Sequence, residues 1–489
     1  MSDTLSASGR AGPVLVWFRQ DLRLSDNPAL VAAAESGRPI VPVYLLDDET
    51  PGSWKMGGAS RWWLHRSLER LASDLGAKGA YLLLRRGRAE QAMPALAEEI
   101  GATTVLWNRC YEPWAVPRDT AIKQHLKAAG IEVESFAASL LQEPWTVQTG
   151  ADKPYSVFSP FWRAIRNREV PKPLAAPDKL SGLPGIEGNK LEQWELLPQT
   201  PDWAGGLRET WVPGEAAAQE RLADFLKDRV AGYAAERNRP DIDGTSGLSP
   251  YLHWGEISPR QIWHATLHHL SAEDTAEKGV WSFLSELGWR DFSYHLLFHW
   301  PSLMDETWKE NFKAFPWRED ANSFQAWCRG KTGFPIVDAG MRQLWHTGWM
   351  HNRVRMIVGS FLIKDLMIHW RDGEHWFWDT LVDADAASNG ASWQWVAGCG
   401  ADAAPYFRIF NPMTQGEKFD PAGDYVRKWI PEVADLPDRY LHRPWEAPEE
   451  VLAKAGVTLG ETYPKPIVDH GRAREAALAA FEKIKKGAA

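Results

Sequence analysis

Short apolar runs alternate with amphipathic segments in the first part of the chain. Between Val14 and about Phe136, continuous runs such as VLVWF and IVPVYLL are separated by longer segments with helical periodicity. This alternation is typical of a parallel sheet covered by helices on both faces. The runs begin near residues 14, 40, 80, 103 and 132, and they predict a five-stranded, Rossmann-like α/β domain over residues 14–140.

The rest of the chain has a different pattern. Residues 141–214 are rich in proline, glycine and polar residues, which indicates a connector that runs over the surface. From Gly214 onward the apolar positions recur with helical spacing, and no segment has the pattern of a strand. We therefore predict an all-α domain over residues 215–480. Residues 1–13 lack the apolar core of a secretory signal and are predicted to be a disordered tail.

Residues 338–413, in the helical part, place charged residues among tryptophans. The chain has 28 tryptophans, and indole is a demanding way to fill a core because its N–H needs a partner. Charged side chains are rarely buried unless they are paired or hold a ligand. The stretch therefore predicts a polar ligand held inside an apolar wall. The polar residues among these tryptophans include His351, Asn352, Arg353, Arg355, Asp383, Asp385 and Asn389.

Composition and charge narrow the class of protein. A chain of 489 residues with 44% hydrophobic and 24% charged residues is typical of a folded protein with two or more domains. The net charge of −9 argues against a surface that coats nucleic acid throughout, but it is compatible with a local basic groove. The best candidate for a membrane span, MIVGSFLIKDLMI, is interrupted by Lys364 and Asp365, so no span is predicted.

Several kinds of site are not predicted. Cys110, Cys328 and Cys399 are too few and too scattered for a disulfide framework or a zinc site, and they fit a reducing cytoplasm. The histidines have no consistent metal-ligand spacing with carboxylates, so no metal is predicted. No GxGxxG motif follows the first strand, so a dinucleotide is not predicted at that turn.

The loop DGTSGLSPYL, residues 243–252, has two interpretations. Backbone N–H groups and the hydroxyls of Thr245, Ser246 and Ser249 could converge on a phosphate. Alternatively, the loop is a capped turn in which Ser249 and Pro250 start a helix. The residues alone leave both possibilities open.

Other polar and aromatic residues are equally ambiguous. Asp383 and Asp385 could share a cation such as Arg355 or accept hydrogen bonds from a ligand; alternatively, one caps a helix and the other lies on the surface. Arginines beside aromatic residues suit nucleic acid, but they also suit ordinary ion pairs. A line of indoles could carry an electron, although the residues alone favour a core role for each tryptophan. The arginines are Arg237, Arg290, Arg353 and Arg408, and the indoles are Trp317, Trp370 and Trp393.

Several longer segments closely resemble the photolyase/cryptochrome family. They are VLVWFRQDLRLSDNPAL, GTSGLSPYL, GKTGFPIVDAGMRQL, TGWMHNRVRM, DADAASNGASWQW and DAAPYFRIFNPMTQGEKFD. The resemblance extends from about Val14 to His470 and is greatest to the bacterial cyclobutane pyrimidine dimer photolyases. It implies an α/β domain followed by an all-α domain that holds FAD in a bent form.

The resemblance also assigns residues to the flavin. The matches to its phosphate and ribityl contacts are Tyr233, Thr245, Ser246, Gly247, Leu248 and Ser249. Arg355, Asp383 and Asp385 match the polar set beside the isoalloxazine ring, and Asn389 matches the residue facing flavin N5. Phe283 stands where many relatives have a tryptophan in the cavity. Arg290 and Asn352 complete the implied FAD set.

A second set of matches concerns DNA and electron transfer. Trp393, Trp370 and Trp317 match the family's photoreduction chain, in order from the flavin outward. The implied pocket for a flipped-out dimer is Glu286, Trp289, Asn352, Met356 and Trp395, and the implied contacts to the DNA strand are Arg237, Arg353 and Arg408. The implied reaction is electron transfer from light-excited FADH− to the dimer, opening of the dimer and return of the electron. Glu286 would hydrogen-bond the pyrimidine, and Asn389 would help to stabilise the reduced flavin.

Alternative functions and the antenna pigment remain open. The main alternative is a cryptochrome-like photoreceptor without repair, whose plant members tend to carry Asp at the position of Asn389. A (6-4) photolyase is disfavoured, because it needs a pair of histidines where Asn352 and Met356 stand. The expected antenna is 5,10-methenyltetrahydrofolate. A deazaflavin or no antenna is the alternative, because Trp114-Ala115 and Met304-Asp305 replace the polar residues that hold the folate in relatives. DNA that contains pyrimidine dimers is the implied partner of a cytoplasmic monomer.

Overall fold

A computed structural model describes residues 12–272, 276–404 and 407–486. All but the last two residues of the predicted tail 1–13 lie outside the described residues. The predicted sheet is present as five parallel strands in the order β3-β2-β1-β4-β5. The strands are β1 (Val14–Phe18), β2 (Ile40–Leu46), β3 (Leu83–Arg86), β4 (Thr104–Asn108) and β5 (Glu132–Phe136). The Rossmann-like prediction is therefore confirmed.

The third strand begins later than the sequence pattern predicted. The apolar run begins at Ala80, but the strand begins at Leu83. The backbone N–H of Ala80 donates to the carbonyl of Leu75 at 3.0 Å, so this residue completes the end of the preceding helix. Tyr81 then points into solvent with 71% of its surface exposed.

Helices cover both faces of the sheet, as its continuously apolar strands require. Val14, Val16 and Phe18 face one buried cluster, and the alternate residues Leu15 and Trp17 face another. The flanking helices are α1 (Pro28–Glu35), α2 (Gly58–Ala77), α3 (Ala89–Glu99) and α4 (Ala115–Ala128).

The segment predicted to be a surface connector also contributes to the core. It contains two short helices, α5 (Phe158–Ile165) and α6 (Gly205–Thr210). The apolar face of α5 is buried, and Phe158 and Phe161 pack against residues of the helical part, including Phe292. This segment therefore helps to position the cavity described below.

The remaining described residues are helical apart from loops and one isolated bridge between Leu459 and Tyr463. Among the described residues, no helix has both the length and the apolar character needed to cross a lipid bilayer. The helices are α7 (Glu215–Asp228), α8 (Tyr233–Glu236), α9 (Ser249–His253), α10 (Pro259–Ala272), α11 (Glu277–His299), α12 (Ala321–Cys328), α13 (Pro335–Thr347), α14 (Asn352–Ser360), α15 (Trp370–Thr380), α16 (Ala386–Ala397), α17 (Pro412–Phe419), α18 (Asp424–Trp429), α19 (Asp438–Leu441), α20 (Glu449–Lys454) and α21 (His470–Lys486).

Candidate functional site

A cavity of about 1070 Å³ opens among α8, α9, α11, α14 and α16. Its volume is at the upper end of the roughly 300–1,000 Å³ typical of small-molecule sites. Most of the residues singled out from the sequence line it, although they are spread over residues 233–408. These residues are Tyr233, Arg237, Ser246, Leu248, Ser249, Phe283, Glu286, Trp289, Arg290, Asn352, Arg353, Arg355, Met356, Asp383, Asp385, Asn389, Trp393, Trp395 and Arg408.

Four of the predicted residues do not line the cavity. Thr245 and Gly247 lie in the loop between α8 and α9, whereas Trp317 and Trp370 lie behind the cavity wall. Gly247 has a φ of +61° and its Cα packs closely against Arg221, whose Nε donates to the Ser246 carbonyl at 3.0 Å. The loop leads directly into α9 at Ser249, as the capped-turn interpretation expected.

The buried carboxylate of Asp383 and the partly exposed guanidinium of Arg355 form an ion pair at the cavity wall. Arg355 Nη2 lies 2.8 Å from one carboxylate oxygen of Asp383 and 3.1 Å from the other. The hydroxyl of Ser249 donates to the same carboxylate at 2.6 Å. The carboxylate therefore joins α9 to α14, and Arg355 is paired with Asp383 instead of being shared between Asp383 and Asp385.

Asp385 has a separate set of partners. It caps α16 by accepting from the Ser388 N–H at 2.7 Å, and it accepts from the Tyr294 hydroxyl at 2.5 Å. Burial alone would raise the pKa of Asp385, but His253, Arg290 and Tyr294 together hold it well below the usual range. The side chain is thus a buried carboxylate, so the surface alternative is wrong for both aspartates.

Asn389 lies one turn into α16, where it faces the cavity. Its Nδ2 donates to the backbone carbonyl of Glu374 at 3.1 Å, which fixes the orientation of the amide. The Glu374 side chain is fully buried, and among the residues that the structure describes neither carboxyl oxygen has a hydrogen-bond partner. Burial raises the pKa of Glu374 well above its ordinary value. Sequence reasoning missed this residue.

The three predicted electron-carrying indoles lie in neighbouring parts of the helical domain. A Cβ atom on Gly373 would lie 2.2 Å from the Trp393 ring, so the absence of a side chain there lets α15 and α16 approach closely. Trp370 begins α15, and His369 contacts both its ring and that of Trp317, with centroid distances of 5.5 and 4.8 Å. Trp370 and Trp393 are buried, whereas Trp317 is partly exposed.

One face of the Trp289 ring packs against Phe158, a residue of the segment predicted to be a connector. The Phe158 ring stacks on Trp289 with a centroid distance of 3.7 Å and an interplanar angle of 10°. The backbone N–H of Phe158 donates to the Asp402 carboxylate, 3.3 Å away, in a loop that also lines the cavity. No local pattern in the sequence connects Phe158 with Trp289, which is why this contact was not predicted.

Arginines gather at the mouth of the cavity. Arg237 is paired with Glu286. Arg353 donates to the Asn238 side chain, with a shortest distance of 2.7 Å. Burial and repulsion from Arg237 and Arg408 lower the pKa of Arg353, which means that the three guanidinium groups share one rim. A local basic rim therefore exists although the net charge is −9.

The positions expected to replace the antenna contacts lie next to an aromatic cluster. The Trp54 indole N–H donates to Asp305 at 3.3 Å, and its ring lies 5.4 Å from Trp378. Trp114 also contacts Trp378, at 6.4 Å. Across the parts of the chain that the structure describes, no cluster of three or more His, Cys, Asp or Glu residues could hold a metal ion.

Comparisons of sequence identify two matching family models. A model described as DNA photolyase matches residues 14–178, and one described as FAD binding domain of DNA photolyase matches residues 283–483. A deoxyribodipyrimidine photo-lyase of Agrobacterium fabrum is 53% identical over 98% of this chain and 99% of its own length. Cryptochrome-1 of Arabidopsis thaliana is 39% identical over 97% of this chain and 71% of its own length.

Solved structures give the same result. A bacterial class III photolyase from Agrobacterium tumefaciens superposes with a TM-score of 0.94 at 52% identity, covering 99% of this chain and all of the other. A cryptochrome from Synechocystis superposes with a TM-score of 0.88 at 32% identity, covering 97% of this chain. The likeness therefore extends over both the α/β part and the helical part.

Proposed function

The chain belongs to the photolyase/cryptochrome family, and we propose that it is a deoxyribodipyrimidine photo-lyase that repairs cyclobutane pyrimidine dimers in DNA with blue light. The observation that carries this proposal is the single cavity that brings together the residues matched to the flavin and those matched to the dimer. A photoreceptor would need the first set but not the second.

The polar groups of the inner cavity fit a flavin dinucleotide. Arg355 can donate, Asp383 and Asp385 can accept, and the fixed amide of Asn389 offers both kinds of group. Ser246, Leu248 and Ser249 would hold the phosphate and ribityl part, together with the loop residues Thr245 and Gly247, and with Tyr233, Phe283, Arg290 and Asn352 along the walls. When bound, reduced FAD supplies the excited-state electron that opens the dimer.

The outer cavity would receive the lesion. A dimer pairs and stacks poorly, which lowers the free energy needed to flip it out of the duplex. Trp289 and Trp395 would stack against its rings, Met356 and Asn352 would contact its edges, and Glu286 would hydrogen-bond a pyrimidine. Arg237, Arg353 and Arg408 at the mouth would hold the phosphates of the strand.

We assign the route for reducing the flavin to Trp317, Trp370 and Trp393. The partial exposure of Trp317 and the place of Trp393 in the cavity wall support this order from the surface inward. For the antenna we propose 5,10-methenyltetrahydrofolate stacked on the aromatic cluster of Trp54, Trp114 and Trp378, rather than a deazaflavin. The enzyme would act as a monomer in the cytoplasm.

A repair assay separates this function from that of a photoreceptor. Purified protein with reduced FAD is mixed with an oligonucleotide containing one thymine dimer, and blue light should restore intact thymines, whereas darkness should not. Glu286→Ala should lower the repair yield while FAD binding survives. Failure of the unmodified protein to repair bound dimers in light would favour the cryptochrome-like alternative.

A further inference from the structure

Two residues matched to different parts of the substrate are paired with each other. Arg237, at the end of α8, would contact a strand phosphate, and Glu286, in α11, would contact the flipped pyrimidine. Instead, Nη1 of Arg237 donates directly to Oε1 of Glu286. Neither side chain can make its substrate contact fully while this ion pair is intact.

The surroundings leave each partner few alternatives. Glu286 faces Arg237 and Tyr233 from α8, and the Ser285 hydroxyl from its own helix. Across the cavity mouth, Arg353 of α14 repels Arg237. Loss of hydration raises the pKa of Glu286, and the charge of Arg237 opposes that rise. The charge of Arg237 therefore favours the ionised form of Glu286 in this concave site.

We propose that binding of a flipped dimer transfers Arg237 from Glu286 to a strand phosphate, and that Glu286 then takes up one proton from solvent. The inference rests on the proposed function. A phosphate accepts two parallel hydrogen bonds from a guanidinium, as a carboxylate does, so Arg237 has a new partner of equal geometry. The proton balance is simple, because one carboxylate becomes one carboxylic acid and no electron moves.

Within the described parts of the chain, Arg237 is the cation that acts on Glu286, so its transfer leaves the carboxyl group without a comparable partner. The dimer would cover Glu286 and remove the water around it, and an unpaired buried carboxylate is strongly unfavourable. Protonation removes that charge and creates an O–H that can donate to a pyrimidine carbonyl. A phosphate of undamaged DNA can still bind Arg237. Because the bases of undamaged DNA remain stacked, none of them covers Glu286, and the carboxylate stays hydrated. The ion pair would thus help to distinguish dimers from undamaged strands.

Dark binding measurements test this exchange without the photochemistry. The dissociation constant of a dimer-containing oligonucleotide is measured from pH 6 to 9 at constant ionic strength, with the undamaged oligonucleotide alongside. Proton uptake predicts that dimer affinity weakens as pH rises, by up to about tenfold per pH unit. The ratio of dimer to undamaged affinity should fall in parallel. Calorimetric titration in two buffers with different ionisation heats should give up to one proton per dimer bound.

Substitutions identify the group that takes up the proton. Glu286→Gln should retain a dimer preference that no longer varies with pH, because the amide is neutral throughout. Arg237→Gln should lower proton uptake, because Glu286 is then protonated more fully before DNA binds. Arg353→Gln is the matched control, since it removes a charge from the same rim but leaves the ion pair, and it should weaken binding while keeping the pH dependence.

The failing outcomes are distinct. A dimer preference that is independent of pH, or an unchanged pH dependence in Glu286→Gln, would overturn this inference and leave the proposed function intact. Equal affinity for dimer and undamaged DNA at every pH would overturn the proposed function, and this inference with it.

Discussion

The carboxyl edge of the sheet and the helical cavity use similar residues in opposite ways. In open α/β sheets, ligands commonly bind beyond the carboxyl ends of the strands. Here the edge beside β1 and the end of β4 is occupied by side chains of the protein itself. Arg19 lies over the Trp17 ring, 4.5 Å from its centroid, and donates to Asp119 at 2.7 Å. The amide of Asn108 donates to Asp21 at 2.6 Å.

In the helical domain, similar polar groups border open space. Asp383 and Arg355 are paired, as the groups at the sheet edge are, but they stand in the wall of a cavity of about 1070 Å³. A buried charge beside tryptophans is therefore not, by itself, evidence of a binding site. What marks the site is open volume beside the charge.

The largest difference between the two regions should appear when one charge is removed from each. Asp383→Ala removes a carboxylate that is proposed to accept a hydrogen bond from the flavin, so we expect flavin binding to weaken by at least about tenfold, since a hydrogen bond to a charged group contributes roughly 1.5–3 kcal/mol. Asp21→Ala should instead lower the thermal midpoint and leave flavin bound. Flavin absorbance per protein and thermal unfolding measure the two effects. Equal flavin loss in both variants would contradict the distinction.

The indoles allow a second test of the same kind. Trp370→Phe should abolish most light-driven reduction of bound flavin in the presence of an external reductant, while repair after chemical reduction continues. Trp62→Phe is the matched control, because Trp62 is equally buried but lies in α2 of the α/β part. Flavin absorption during illumination gives the rates. A normal rate in Trp370→Phe would remove this residue from the route.

A smaller effect is expected from the ring that supports Trp289. Phe158→Leu should weaken dimer binding by about 2–10-fold, because an aromatic pair contributes roughly 0.5–1.5 kcal/mol beyond its buried area. Phe161→Leu changes the same kind of ring in the same helix without touching the Trp289 stack. The two variants should lose similar stability, but only the first should lose dimer affinity in a binding titration. Equal dimer affinity in both would show that the stack has no such role.

The smallest effect concerns stability and pH. Because the folded-state pKa of Glu374 is raised, the folded protein holds this proton more tightly than the unfolded chain does. Stability is therefore lost as pH rises above about 4.3, the ordinary value for glutamate. Glu374→Gln should raise the thermal midpoint by a few degrees at pH 8, and by less at pH 5. A midpoint shift that is the same at both values would contradict an ionisable Glu374.

Sequence patterns predicted the sheet and much of the cavity for a clear physical reason. Continuous apolar strands can be buried only in a covered parallel sheet, and charged residues among apolar ones need partners or a ligand. This argument allowed Arg355 as a cation for Asp383, and the structure pairs the two. The individual residues of the cavity wall were assigned from the family resemblance, which carries three-dimensional information that the spacing of apolar residues lacks.

What the sequence did not predict depends on packing between distant segments. Phe158 contacts Trp289 only because α5 folds against α11, and a composition rich in proline and glycine around it concealed a core helix. Glu374 sits in an ordinary helical pattern, and the lack of partners for its carboxyl group becomes visible only when α16 covers it. The pair of Arg237 and Glu286 likewise depends on where α8 meets α11.

The proposed function requires that one cavity brings the flavin and a flipped dimer close enough for electron transfer. The most direct measurement is the fluorescence of the protein-bound, fully reduced flavin as dimer-containing DNA is added in dim light. Emission should fall when the dimer binds and should not change with the undamaged oligonucleotide. Unchanged emission from a complex shown to contain the dimer would contradict the proposed function.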